Sequence, residues 1–589
     1  MRLAILTALA AVMVMTLSAC GGGGNNNNNT PAVTVSPATA NVVEGSTQQF
    51  TATVINSSST TVTWQVNGVA GGNSSVGTID ATGLYTAPAI VPSPASVTVT
   101  AVLQANPNLS SNAIATITAV QFSNSSLKGN YIFSLSGIDT NLATFYAVGA
   151  ITADGNGNIT GGEEDLNDVA VGYVQATSIT GTYTVGSDGR GTLTLSVPAI
   201  SSTGFTYAFA IRALNNAALT EIDNNVVNAT GNLEQQTATG VSAPSGNYAF
   251  GIAGSALCGT SVLNPINSIG LFSLSSGSVG GLQDTNCNGT TTQSQSLSGS
   301  YGAIDGLGRG IGSFSTSVGS ADFVYYVISA NRYRFVCPDT ATFFLGSADL
   351  QSQASFANSD FNGGYVVNTS ANTEHGSVLG VSYTLIQFNA SASSVSSGHY
   401  DVNDTGTVGQ ASLGGQYSLA SNGRVNGSFT VNGVALPFSM YLFSPTQAYY
   451  LDQRTTAIGG GNVYAQSASV TSNADWAGSY ATKQFGYFLP SSGLILPANS
   501  SSVSGQISAD GNGNLAGTLD FNDPNGVFPG DTLQGTYSVG TAAPGRTTAT
   551  ITTSEGTRTY VAYIVDQTRV LLLEVDTNLV SGGDAIRQF

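Results

Sequence analysis

Asp165-Leu166-Asn167-Asp168, Asp284-Thr285-Asn286-Cys287, Asp401-Val402-Asn403-Asp404 and Asp520-Phe521-Asn522-Asp523 are one D-x-N landmark met four times. Each is framed by two G-x-Y elements. The first set is Gly129-Asn130-Tyr131, Gly246-Asn247-Tyr248, Gly363-Gly364-Tyr365 and Gly478-Ser479-Tyr480, with tyrosines 117, 117 and 115 residues apart. The second set is Gly181-Thr182-Tyr183, Gly299-Ser300-Tyr301, Gly415-Gln416-Tyr417 and Gly535-Thr536-Tyr537. A Gly-Arg turn follows at Arg190, Arg309, Arg424 and Arg546, and a terminal acid at Asp223, Asp339, Asp452 and Asp576. Fixed order across four copies identifies an internal repeat, with copies over 126–238, 243–353, 360–468 and 475–589.

Within the first copy, short apolar-alternating runs start near Tyr131, Thr144, Asn158, Thr177, Gly191, Thr206, Ala218 and Thr230. Turns such as Asp154-Gly155-Asn156-Gly157-Asn158 are too short for anything but antiparallel neighbours. The whole chain reads as all-β. About eight antiparallel strands per copy most economically close as a meander barrel, because closure removes both edges; a sandwich and a propeller are the alternatives. In copy one, Phe205, Tyr207 and Phe209 alternate with small residues, as in a strand with one buried face. Phe323-Val324-Tyr325-Tyr326-Val327-Ile328 and Tyr560-Val561-Ala562-Tyr563-Ile564-Val565 are apolar on both faces. A strand apolar on both sides is covered on both sides, so the copies should pack against one another.

Upstream, residues 32–121 form a separate unit. Val62-Thr63-Trp64-Gln65-Val66-Asn67-Gly68, Gly77-Thr78-Ile79-Asp80-Ala81-Thr82-Gly83-Leu84-Tyr85-Thr86-Ala87-Pro88 and the closing Val97–Val102 strand resemble bacterial Ig-like domains of group 2. The resemblance implies a β-sandwich with Trp64 in its core and use in surface proteins. Arg2, the apolar Leu3–Leu17 and Leu17-Ser18-Ala19-Cys20 resemble a bacterial lipoprotein signal, 1–19. That implies cleavage before Cys20, acyl chains on Cys20, and a membrane anchor. Gly21 after the cysteine favours the outer membrane or cell surface. The Gly/Asn run of 20–31 cannot bury apolar surface and reads as a flexible tether.

Charged residues are only 8% and the formal net charge is −18, which argues against nucleic acid as a partner. Besides Cys20 there are Cys258, Cys287 and Cys337, all in copy two. In an eight-strand meander the three meet at one rim, and one disulfide from one pair of them, plus a bystander, is the favoured reading. With no CxxC pair and two histidines, His375 and His399, zinc and haem are not expected. Asp154, Asn156 and Asn158, with Asp165 twelfth in the loop, have the spacing of a calcium site; a tight hairpin in which Gly and Asn supply positive φ is preferred. The same rim gathers Asp168, Glu221 and Asp223 in copy one and Asp523, Glu574 and Asp576 in copy four. Such carboxylates could serve a cation or glycoside chemistry, but acids at strand ends are ordinarily solvated.

The expectation is therefore a non-enzymatic, lipid-anchored surface protein with an adhesion, binding or envelope-structural role and no cofactor, calcium being the one candidate. Its partners would be a membrane through the lipid and an extracellular glycan or protein. A carbohydrate-binding or carbohydrate-cleaving protein is the alternative. A small-ligand carrier using the barrel interiors comes third, and would need a sizeable enclosed cavity.

Overall fold

A computed structural model describes residues 30–213, 216–223, 228–237, 243–316, 319–375, 378–490, 495–540 and 543–589. The described residues contain strands, turns and short 3-10 segments, with no α-helix. Cys20 lies outside the described residues.

The N-terminal module packs a five-stranded sheet (Thr39–Val43, Val62–Val66, Val69–Ala70, Ser96–Leu103 and Ser110–Thr118) against smaller sheets. Phe50, Trp64, Tyr85 and Val99 fill the space between. Gly83 shows why that position carries no side chain. Its φ is +85°, and a Cβ would sit 2.3 Å from the carbonyl of Phe50.

Each repeat is a closed eight-strand antiparallel barrel, which settles the choice against sandwich and propeller. Barrel three runs Gly363–His375, Val378–Ser391, Ser394–Asp404, Thr407–Leu419, Arg424–Val431, Val434–Ser444, Gln447–Asp452 and Ala457–Ala465. The last strand pairs with the first, Tyr365 opposite Ala465. In barrel one the fourth strand is split into Gly172–Ser178 and Thr180–Val185, and the ring still closes.

The repeated glycines have two distinct causes. Those opening each copy, Gly129, Gly246, Gly363 and Gly478, have φ between +112° and +138°, a region that favours glycine. At the mid-copy glycines Gly181, Gly299, Gly415 and Gly535 a Cβ would fall within 2.3 Å of a carbonyl on the adjacent strand. The tyrosines that follow fill the barrel. Tyr131, Tyr248, Tyr365 and Tyr480 are buried, and the last three donate to Ala330, Pro445 and Gln567 carbonyls at 2.8–2.9 Å.

Alternation puts one set of side chains inside each barrel and the other set between barrels. Ile132, Val148 and Ala150 of barrel one meet Val324, Tyr326, Ile328 and Val336 of barrel two. Ala249, Ile269 and Leu271 of barrel two meet Tyr441, Tyr449 and Leu451 of barrel three. Val366 and Leu385 of barrel three meet Val561, Tyr563, Val565, Leu571 and Leu573 of barrel four. Every joint uses strands one and two of one barrel against strands six to eight of the next.

Strands one and two of barrel four in turn contact strands six to eight of barrel one, so the four barrels form a closed ring. This corrects the reading of the copy-one aromatic strand as buried on one face. Ala208 and Ala210 are buried, their strand packs on Ser500–Ala509 of barrel four, and the hydroxyls of Ser500, Ser502 and Ser504 there are buried too. The cover is small and polar, so it left no apolar signature.

Because each barrel has an even number of strands, the chain enters and leaves at the same rim. The N-terminal module sits at this entry rim. Phe122 N donates to Ser187 O (3.2 Å) in a barrel-one turn, and Gly45 lies against Arg587 and Phe589 of barrel four.

Candidate functional site

The repeated polar landmarks converge on the joints of the ring. The aspartate of each D-x-N, in strand three, receives the Gly-Arg arginine of the next barrel. Arg309 grips Asp165 through Nε–Oδ2 (2.6 Å) and Nη2–Oδ1 (2.8 Å). Arg546 grips Asp401 in the same two-pronged way (2.9 and 2.6 Å). Arg424 reaches Asp284 through Nε (2.8 Å). Arg190 of barrel one completes the circuit on Asp520 of barrel four (3.2 and 2.5 Å). The four aspartates have side chains 0–3% exposed, so each charge is tolerated only because the planar fork answers both oxygens or the backbone does. Tyr326 and Tyr563 add hydroxyl donors to Asp165 and Asp401; barrel one has Ala210 at that position.

The asparagine two residues on ties the far rims together. Asn167 donates to the carbonyls of Cys337 and Asp339 (2.7 and 2.8 Å). Asn286 does the same to Asp452 and Arg454, and Asn403 to Glu574 and Asp576. Asn522 closes the set on Glu221, at both its carbonyl and Oε2. At the entry rims a glutamine just past each last strand repeats the pattern. Gln236, Gln351, Gln466 and Gln588 each donate to two backbone carbonyls of the following barrel, the last to Asp188 and Ile211 of barrel one. These glutamines escaped the sequence reading, although they recur at the end of every copy. Like rim is bonded to like rim, so all four far rims face one way, opposite the N-terminal module.

Four of the six rim acids, Asp168, Glu221, Asp523 and Glu574, are buried rather than solvated, and Asp223 and Asp576 are half-buried. Glu221 is fully buried; burial and the neighbouring Asp223 push its carboxyl up to about 10. Burial raises Glu574 to about 8, against which Arg558 and the hydroxyl of Ser581 (2.8 Å) act. Asp523 shares Arg558 (3.8 Å), and burial raises it too. Asp168 accepts from the N–H groups of Ala170 and Val171, Asp223 from Thr206, and Asp576 from Thr559. The bonds of Asp168 cap its own turn, and those of Asp223 and Asp576 tie the chain just past strand seven to the start of strand six.

The structure joins Cys258 to Cys287, Cα–Cα 5.7 Å, tying the loop after strand one to the end of strand three in barrel two. Cys337 is a free, buried thiol, raised by that burial. The four calcium candidates are split between two places. Asp154 accepts from the Asn156 and Asn158 N–H groups (2.7 and 3.0 Å) and from Asn158 Nδ2 (2.8 Å), bonds that lower it to about 2. Asp165 lies seven residues along the strand from Asn158, about 23 Å at the usual rise, locked to Arg309. The sequence count placed it twelfth in a loop; strand three carries it away. Among the described residues no group of three or more acids, histidines and cysteines is arranged to hold a metal ion.

The far rims carry the exposed apolar residues. Outside the N-terminal module these are Leu142, Val169, Val171, Val262, Ile311, Val408, Val434 and Leu496. Among the described residues all but Ile311 sit in far-rim connections or, for Val408 and Val434, at the far-rim start of a strand. The interior of barrel two offers little room: the cavity among Phe250, Phe272, Phe314, Phe323 and Phe335 is about 10 Å³, room for about one water at most.

Residues 29–112 match the family of bacterial Ig-like domains, group 2. No curated protein matches the chain. Among solved structures, the isotype 1 transferrin binding protein B from serogroup B Neisseria meningitidis aligns at 9% identity and TM-score 0.18, over 64% of this chain and 82% of that one. A putative AttH from Nitrosomonas europaea aligns at 9% identity and TM-score 0.14, over 59% and 93%. Scores this low carry no inference about the fold or function of this chain.

Proposed function

We propose that this chain is a non-catalytic, lipid-anchored surface protein whose four-barrel ring is a rigid binding platform. The observation that carries the reading is the polarity of the ring. The N-terminal module and, among the described residues, the start of each barrel's first strand and the end of its last lie at the entry rims, while all the exposed apolar tips but Ile311 lie on the opposite face. A tether running from Cys20 into the module would therefore present the far rims outward. Exposed apolar tips contributed by all four barrels to one face give that face apolar contact groups for a partner. The repeated acids and arginines, engaged in ring joints, support a structural rather than a catalytic use. The 10 Å³ interior of barrel two counts against a small-ligand carrier.

Three measurements test this. Metabolic labelling with a palmitate analogue should mark the wild-type chain and not Cys20→Ser, and external protease should reach the wild type on intact cells. The mature chain should then bind glycan or envelope components in an array run with and without calcium, and lose binding when Val171, Val262 and Val434 are changed together to Asp. Unlabelled wild type would remove the anchor; array binding that survives the triple change would remove the far-rim platform.

A further inference from the structure

The ring axis gathers cations from an otherwise acidic chain. Of the 14 lysines and arginines, five lie here: Arg212 from barrel one, Arg332 and Arg334 from barrel two, Lys483 and Arg569 from barrel four. Three carboxylates answer them. Glu234 pairs with Arg332 and Arg334 (3.4 and 2.6 Å), Asp349 with Arg332 (2.6 Å), and Asp584 with Arg212 and Arg569 (2.6 and 3.3 Å). Barrel three contributes Tyr464, whose ring lies 4.3 Å under Arg569, and Tyr449, which donates to Asp349. Asp566, on the hairpin of Arg569, gives its Oδ1 to Thr568 and acts on Arg569 from beyond ion-pair distance.

The imbalance is not a general property of the ring. At the four joints one arginine meets one aspartate, whereas on the axis five cations face three anions. Lys483 donates to Asn232 Oδ1 (3.0 Å) and has no carboxylate within ion-pair distance among the described residues. The Nε of Arg212, a residue 7% exposed, has no partner at all. Buried cations without counter-charge are destabilising, and burial among neighbouring arginines lowers Lys483 to about 8. Beside Arg332 a cavity of about 220 Å³ opens between barrels one and two; it is lined by Arg332, the carboxylates Glu234 and Asp349 that Arg332 pairs with, and Asn216 and Asn331, so it is the approach to the axis, and Lys483, Arg334 and Arg212 lie beyond it. It reaches solvent at the entry face, where Asn331 and Thr237 are exposed.

We propose that the axis of the ring is a binding site for a small doubly charged oxyanion of the phosphate or sulfate type, entering from the face that carries the N-terminal module. Arginine forks and an ammonium suit its oxygens, and its charge answers cations that the ion pairs of the axis leave in excess. The site is separate from the far-rim platform and stands or falls independently of it.

The test uses the full mature chain at constant ionic strength, titrated with sodium phosphate, sodium sulfate or sodium chloride. Phosphate or sulfate should raise the melting temperature saturably and give a binding isotherm; chloride should not. Lys483→Met and Arg334→Met, each checked for a folded monomer by circular dichroism and gel filtration, should weaken the oxyanion by about tenfold or more, the loss of one charge-assisted contact. Arg454→Met, on the far rim, should leave binding unchanged. No oxyanion-specific response in the wild type overturns the proposal. So does an equal response in Lys483→Met, since the excess charge would then be structural only.

Discussion

Arg190 and Asp520, 330 residues apart, form the ion pair that closes the ring, with Nη2 of one 2.5 Å from Oδ1 of the other. Asp520 is 3% exposed and also accepts from Gly530 N (2.8 Å). Removing the arginine leaves a buried carboxylate without its countercharge, which costs about 3–5 kcal/mol. Arg190→Ala should lower stability by that amount in urea unfolding, and Asp520→Asn in the Arg190→Ala background should recover part of it. Additive losses would show that the two residues do not interact.

The joint between barrels four and one should be the weakest of the four. Where barrel three presents Leu385, barrel four presents Ser504 at the equivalent position, and the hydroxyls of Ser500, Ser502 and Ser504 are buried without partners. An unsatisfied buried hydroxyl costs about 1–3 kcal/mol. Ser502→Ala and Ser504→Ala should therefore stabilise the chain by about 1 kcal/mol each, while Leu385→Ala should destabilise it by about 2–5 kcal/mol. Hydrogen exchange should be fastest, among barrel walls, along Ser500–Ala509 and Phe205–Arg212.

The buried acids set the direction of the pH dependence. Glu574 rises from the ordinary carboxyl range to about 8 in the fold, so the folded state holds a proton that the unfolded state releases. Its contribution is greatest below about pH 4.5 and falls as pH rises toward 8. Glu574→Gln should flatten the stability profile across that window and be more stable than wild type at pH 8. A mutant profile parallel to wild type would contradict the assignment.

Cysteine chemistry separates the three thiols of barrel two. Cys258→Ser with Cys287→Ser opens a loop with a sequence separation of 29 and should cost about 3–4 kcal/mol. Cys337, buried and with its thiol raised, should resist iodoacetamide in the folded protein and react on unfolding. Rapid native alkylation of Cys337 would be inconsistent with its placement.

Much of the architecture follows from local pattern. The four D-x-N landmarks, the paired G-x-Y elements and the short turns led to four eight-strand barrels. The two-sided apolar strands at Phe323 and Tyr560 led to barrels that pack together. Both depend on period-two alternation and turn chemistry, which act between neighbours in the chain. The candidate site was less legible. Asp165 counted twelfth from Asp154 but is carried along a strand to another barrel. Glu221 and Glu574 looked like surface acids because the barrels that cover them come from other copies.

The sequence by itself determined what each copy is: a barrel with an aspartate in strand three, an arginine at its Gly-Arg turn, and a tyrosine-filled interior. Only the tertiary structure decided that Asp165 belongs to Arg309, Asp520 to Arg190, and that five cations meet on one axis. Strand pairing within a copy is specified by residues a few turns apart. Ring closure is specified by the angle each joint makes, and that angle comes from packing whole faces, Val366 and Leu385 with Tyr563 and Leu573 in one joint and the strand Ser500–Ala509 on Phe205–Arg212 in another, which no short stretch of sequence encodes.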